Sequence, residues 1–179
     1  MRQEYTSQFM NLPLVNALTL AQFVARFGGV FEHSPWVAQR AWQRRPYASI
    51  DDLYRSMASE VQLASSAEQL ALIRAHPELA GKEAAGGNLS VDSSSEQGRL
   101  GFMNLDRSHF EQMGELNRTY RQRFGIPCIV ALRLHASRAS VMADMQRRLG
   151  NTPQAEIAGA LEQIGHIARG RIEKILGDE

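Results

Sequence analysis

One cysteine, Cys128, stands among 179 residues. A single thiol excludes an internal disulfide and a multi-thiolate zinc centre, and it fits a reducing compartment. Long apolar runs are also missing. No stretch approaches the roughly 20 apolar residues of a membrane-spanning helix, and the opening MRQEYTSQFM lacks the apolar core of a secretory signal. The closing Ile-Leu-Gly-Asp-Glu is no peroxisomal address. Nor is there an excess of charge of one sign: 20 Lys and Arg against 19 Asp and Glu leave a formal net charge of +1. Such balance favours neither a polyanion-binding surface nor a disordered chain. The expectation is a soluble cytoplasmic protein whose partner is a small molecule, with no nucleic acid and no membrane.

The common cofactor motifs are absent as well. The glycine-rich dinucleotide turn, the phosphate-binding P-loop and the nucleophile elbow have no match. The five histidines, His33, His76, His109, His135 and His166, fall in no recognised metal spacing. A metal enzyme is therefore disfavoured, and the dinucleotide, P-loop and nucleophile-elbow readings lack their usual support. Cys128 lies in an apolar run and reads as a packed hydrophobe rather than a nucleophile.

What is present is helical punctuation. Ser34-Pro35 reads as an N-cap with proline at the first helical position, opening a segment that stops before Pro46. Ser49 precedes Asp51 and Asp52, after which Ile50, Leu53, Met57, Val61 and Ala64 recur at helical spacing. Ser65 and Glu68 have capping-box spacing and start a helix that Pro77 ends. The run from Gly81 to Ser95 reads as a loop. Helical spacing returns at Phe110, Met113, Leu116 and Tyr120, and again from Val141 to Leu149. Thr152-Pro153 caps a last helix with the stripe Ile157, Leu161, Ile164, Ala168, Ile172 and Ile175. Gly125 and Pro127 interrupt this pattern before the apolar, extended run from Cys128 to Leu132. The length suits one domain over residues 1–179. The expected class is all-α, a single-domain helical bundle with one short extended segment near 125–134.

Two polar positions stand out without declaring a role. Ala-His-Pro at a helix end forces His76 out of α geometry beside the helix's carbonyl terminus, which favours the protonated imidazole. From local sequence alone a plain helix stop is the favoured reading. Ser93-x-x-Glu96 matches a capping box, and local pattern alone favours reading Glu96 as a cap over a functional carboxylate. Arg169 and Arg171 sit on an amphipathic helix, where solvated arginines are common.

Taken in order, the segments GGVFEHSPWVAQRAW (28–42), RRPY (44–47), LIRAHPELAG (72–81), SSSEQGRLG (93–101), LNRTYRQRFGIP (116–127) and ALEQIGHIARGRIEKIL (160–176) resemble the 2-oxo-4-hydroxy-4-carboxy-5-ureidoimidazoline decarboxylase family. The resemblance runs through nearly the whole chain. It implies a helical enzyme that decarboxylates a small ureidoimidazoline acid to (S)-allantoin in urate degradation, without metal or cofactor, as a homodimer. It also implies His76 and Glu96 as catalytic groups, and Pro77, Ser93, Gln97, Cys128, Ile129 and Arg171 as substrate-binding ones. The chain departs from the family pattern at Ile126 and Cys128, where phenylalanines are usual, and at Gly170, where leucine is usual. Competing readings are a related ureide hydrolase, which needs an activated water, and a non-catalytic helical interaction module. A helix-turn-helix regulator lacks its basic recognition helix.

Overall fold

A side-chain oxygen placed just before an apolar-periodic stretch satisfies one of the free N–H groups of a first turn, and this chain starts most of its helices that way. The computed structural model describes residues 11–177. Asn11 caps α1 (Leu12–Ala17), and Thr19 with Gln22 forms a reciprocal capping box on α2 (Leu20–Phe27). α3 (Pro35–Ala41) follows and ends in a 3-10 turn, Trp42–Arg44. Pro35 occupies the first turn as expected, but Ser34 makes no side-chain capping bond. Ser49 caps α4 (Ile50–Leu63), and the Ser65–Glu68 box opens α5 (Ser66–Ala75), which closes at His76.

The segment from Gly81 to Ser95, expected as a loop, is partly helical: α6 (Lys82–Ala85) is short, and α7 runs from Val91 to Arg99. Ser90 is the true cap, its hydroxyl accepting from Ser93 N at 3.2 Å. Serine-rich composition suggested a turn, whereas tertiary burial of Ser93 and Gln97 on one face holds the segment helical. α8 (Arg107–Phe124) ends at Gly125 in the left-handed conformation that glycine adopts without steric cost. Residues 127–131 belong to no helix or strand, with Ala131 extended, then a 3-10 turn (Leu132–Leu134) leads to α9 (Arg138–Arg148) and the long α10 (Pro153–Leu176).

α10 packs on α4, α5 and α8, while α3 packs on α2 and α4. Its fully buried stripe is Ala160, Ile164, Ala168, Ile172 and Leu176. Ile157, Leu161 and Ile175 lie at its half-buried flank, so the stripe is rotated from the one expected. On α8 the buried face is Met113, Asn117 and Tyr120, and Phe110 is exposed. Among the described residues the regular structure is entirely helical, and no helix is long and apolar enough to cross a membrane.

Candidate active site

The end of α5 shapes the first wall. Pro77 has no N–H and biases its predecessor away from α geometry, and His76 accordingly adopts φ −77°, ψ 134°. Its backbone N–H turns to Ile73 O at 3.2 Å. The Leu72 carbonyl, which a continuing helix would pair with that N–H, takes the imidazole Nδ1 at 2.9 Å instead. A carbonyl oxygen only accepts, so Nδ1 carries the hydrogen and the neutral ring presents a lone pair at Nε2. Nε2 is buried without a partner among the described residues.

The protonated form favoured by position alone does not hold. Burial pushes the His76 pKa down to about 4; the Leu72 bond and the Glu32 charge act upward, and the Arg171 guanidinium acts downward with burial. Desolvation of a fully enclosed imidazole outweighs the carbonyl terminus.

Helix α7 supplies the second wall. Ser93, Glu96 and Gln97 fall within little more than one turn and share a face. Glu96 is not a cap. It accepts from Arg171 Nε and Nη2, both at 2.9 Å. Gln97 holds the turn after His76, accepting from Ala80 N at 2.9 Å and donating to Glu78 O at 3.4 Å. Ala80 has φ 49°, a left-handed strain for a residue with a Cβ, and the Gln97 clamp and Asn117 Nδ2 on Leu79 O at 2.9 Å hold the turn in place.

Arg171 reaches in from α10. It is buried rather than solvated, and its Nη1 donates to Glu32 Oε2 at 2.8 Å. Ser93 Oγ donates to the same Glu32 oxygen at 2.9 Å and accepts from Arg171 Nη2 at 3.2 Å. Burial works against charge on Glu32, but the hydroxyls of Ser90 and Ser93 and the Arg171 charge outweigh it and hold the carboxyl below its usual range. Arg171 is likewise penalised by burial and is more than compensated by Glu96 and Glu32, which raise its pKa further. Arg169, one residue from it, lies outside this cluster and pairs with Asp51 and Glu173 at the surface.

The apolar run from Cys128 to Leu132 forms the third wall. Cys128, Ile129 and Val130 are buried, and among the described residues their N–H groups have no hydrogen-bond partner. Arg148, itself buried and paired with Glu156 at 2.9 Å, holds the Ile129 carbonyl from behind at 2.7 Å. Burial raises the Cys128 thiol to about 12, so at neutral pH it is a thiol and no nucleophile.

The eight residues that the family resemblance implies meet in one place: His76, Pro77, Ser93, Glu96, Gln97, Cys128, Ile129 and Arg171 line a tight inner pocket of about 30 Å³. Glu96 and Arg171 also line an adjoining outer cleft of about 330 Å³, within the range of small-molecule sites, with Arg99, Arg133 and Lys174 on its sides. Glu32 was missed, although an acid set between Val30-Phe31 and His33-Ser34-Pro35 is a signal for a buried carboxylate in need of a cation. Among the described residues no three His, Cys, Asp or Glu side chains converge as a metal-ligand set.

A buried basic nitrogen, a carboxylate-guanidinium pair and free backbone donors around a small cavity can move one proton and stabilise one developing negative charge. The comparisons with known proteins agree with that size and character. The OHCU decarboxylase family model matches residues 16–173. The 2-oxo-4-hydroxy-4-carboxy-5-ureidoimidazoline decarboxylase of Haloferax volcanii is 36% identical, covering 95% of this chain and 98% of its own. That of Mus musculus is 33% identical, covering 94% of each. A crystal structure of (S)-allantoin synthase superposes with a TM-score of 0.75 at 26% identity over 93% of this chain, which spans 54% of the length of that one. The chain therefore belongs to the OHCU decarboxylase family.

Proposed function

We propose that this protein converts 2-oxo-4-hydroxy-4-carboxy-5-ureidoimidazoline to (S)-allantoin in urate degradation, without metal or organic cofactor. The observation that carries the reading is the buried, unpartnered Nε2 of His76, a residue that lines the inner pocket together with the Arg171–Glu96 pair. The substrate is its own electron sink. When the bond to the carboxylate breaks, CO2 leaves, and the electron pair moves into the adjacent ring carbon–nitrogen double bond; the ring nitrogen takes one proton from solvent. The resulting enol loses its hydroxyl proton and gains a proton on the neighbouring carbon, which makes the stereocentre of allantoin.

His76 Nε2 is suited to accept the hydroxyl proton and to return a proton to carbon, because its lone pair is desolvated and its ring is fixed through Nδ1. Glu96 and Arg171 orient the ureido, carboxylate and carbonyl groups, and the free N–H groups of Cys128 and Ile129 offer donors to developing oxyanion charge. Ser93 keeps Arg171 and Glu32 in register, Gln97 fixes the floor of the pocket, and Pro77 lends an apolar edge that excludes water. The resemblance further supports reading the protein as a cytoplasmic homodimer, which sedimentation analysis checks.

The test generates the unstable substrate in place from urate with the two preceding enzymes and follows circular dichroism of the allantoin formed. Rapid optically active (S)-allantoin is expected, and His76→Gln is expected to remove it from a folded protein. Racemate at the blank rate from folded wild type would overturn the reading.

A further inference from the structure

A guanidinium has five N–H bonds, and here every one has an acceptor. Nε and one hydrogen of Nη2 hold the two oxygens of Glu96 at 2.9 Å each. The other Nη2 hydrogen meets Ser93 Oγ at 3.2 Å. Nη1 donates to Glu32 at 2.8 Å and to the Gly29 and Val30 carbonyls at 3.4 and 3.5 Å. Arg171 so engaged has nothing to offer an incoming anion.

Its two carboxylate partners differ in one decisive respect. The Glu32 side chain is 2% exposed and also takes the Ser93 hydroxyl. That of Glu96 is 36% exposed, stands where the inner pocket meets the outer cleft, and among the described residues accepts from Arg171 alone. Glu96 can leave the guanidinium with its charge going to water; Glu32 cannot, because a carboxylate stripped of its partner inside the protein keeps the full desolvation penalty with nothing to offset it.

We propose that Glu32 is the fixed anchor of Arg171, a positioning residue for the reaction, and that the substrate's carboxylate is admitted by exchange for the Glu96 carboxylate on the Nε and Nη2 fork. The proposal rests on the reading of the preceding subsection. A carboxylate replaces a carboxylate of the same charge and planar geometry, so the fork is satisfied before and after, and no net charge is added to it. The released Glu96 then points its oxygens at the pocket mouth, where they can accept from the ureido N–H groups. Without Glu32, the guanidinium would follow Glu96 toward the cleft instead of staying to receive the anion.

The test measures binding by calorimetry with hydantoin-5-acetate, a cyclic ureide bearing a carboxylate, and with hydantoin, the same ring without one. The wild type is expected to bind the carboxylate probe the more tightly. Glu32→Gln, close in shape, is expected to weaken that probe by roughly tenfold, the scale of a lost charge-assisted bond, and to leave hydantoin within about twofold. Glu96→Gln removes the competing charge and is expected to strengthen the carboxylate probe. A merely structural role lowers both probes in both variants, so the opposite signs are decisive, and the Glu96→Gln sign stands alone if Glu32→Gln does not fold. Weakening of the carboxylate probe by Glu96→Gln, or no preference for it in the wild type, overturns the proposal. Either result alongside wild-type (S)-allantoin formation leaves the activity intact; the expected signs alongside racemic product remove the activity and keep the exchange.

Discussion

Lowering the pH from 7 to 5 sets the burial of His76 against its protonation. In the unfolded chain the imidazole titrates near 6.5, whereas in the folded protein burial holds it near 4. Between those values the unfolded state binds more protons than the native one, so stability falls as pH falls through this window and recovers as pH rises above it. At pH 5 the unfolded imidazole is almost fully protonated and the folded one about one tenth so, which places the loss from pH 7 to pH 5 at about 2 kcal/mol, approaching about 3 kcal/mol below pH 4. The assay is urea unfolding of wild type and His76→Gln at both pH values. The variant keeps a neutral polar group but has nothing to titrate, so the difference between the two proteins should narrow toward pH 5 by that amount. Parallel pH dependences would refute the burial argument. The same protonation should appear as the acid limb of kcat/KM, well below the usual histidine range.

Other perturbations address separate parts of the structure. Arg171→Lys keeps the charge but loses the planar fork on Glu96, and a drop of roughly 10²-fold in kcat/KM is expected with the helical circular dichroism unchanged. Ile164→Ala opens a cavity in the buried stripe of α10 and should cost about 2–5 kcal/mol in denaturant unfolding, more than Leu161→Ala at its half-buried flank. At Gly170 the three atoms nearest an added Cβ all belong to the Arg133 side chain, at 3.1–3.3 Å, and that side chain is half exposed and able to give. Gly170→Ala should therefore stabilise the protein by up to about 1 kcal/mol, read as a higher Tm.

Local chemistry in the sequence was enough to place most helices and the bend at His76. Caps and prolines act on the next few backbone groups, so Ser65–Glu68 and Pro77 bracket α5 without help from the rest of the chain. The run from Gly81 to Ser95 misled because its composition favours turns, while the helix there is held by contacts of Ser93 and Gln97 with α10 and the 78–80 turn. The ordered family segments also named the residues that gather around the pocket, Ser93, Glu96 and Arg171 among them.

What no local pattern carried was which partners those residues meet. A Ser-x-x-Glu spacing reads as a cap until Arg171, 75 positions away from Glu96, arrives to claim the carboxylate. The apolar residues before Glu32 hint at a buried carboxylate, but its cation is named only when α10 lays a guanidinium 2.8 Å from it. The charge state of His76 was inverted for the same reason. A helix terminus acts over one turn and is visible in sequence, but desolvation depends on everything packed around the ring, and only the tertiary structure assembles that enclosure.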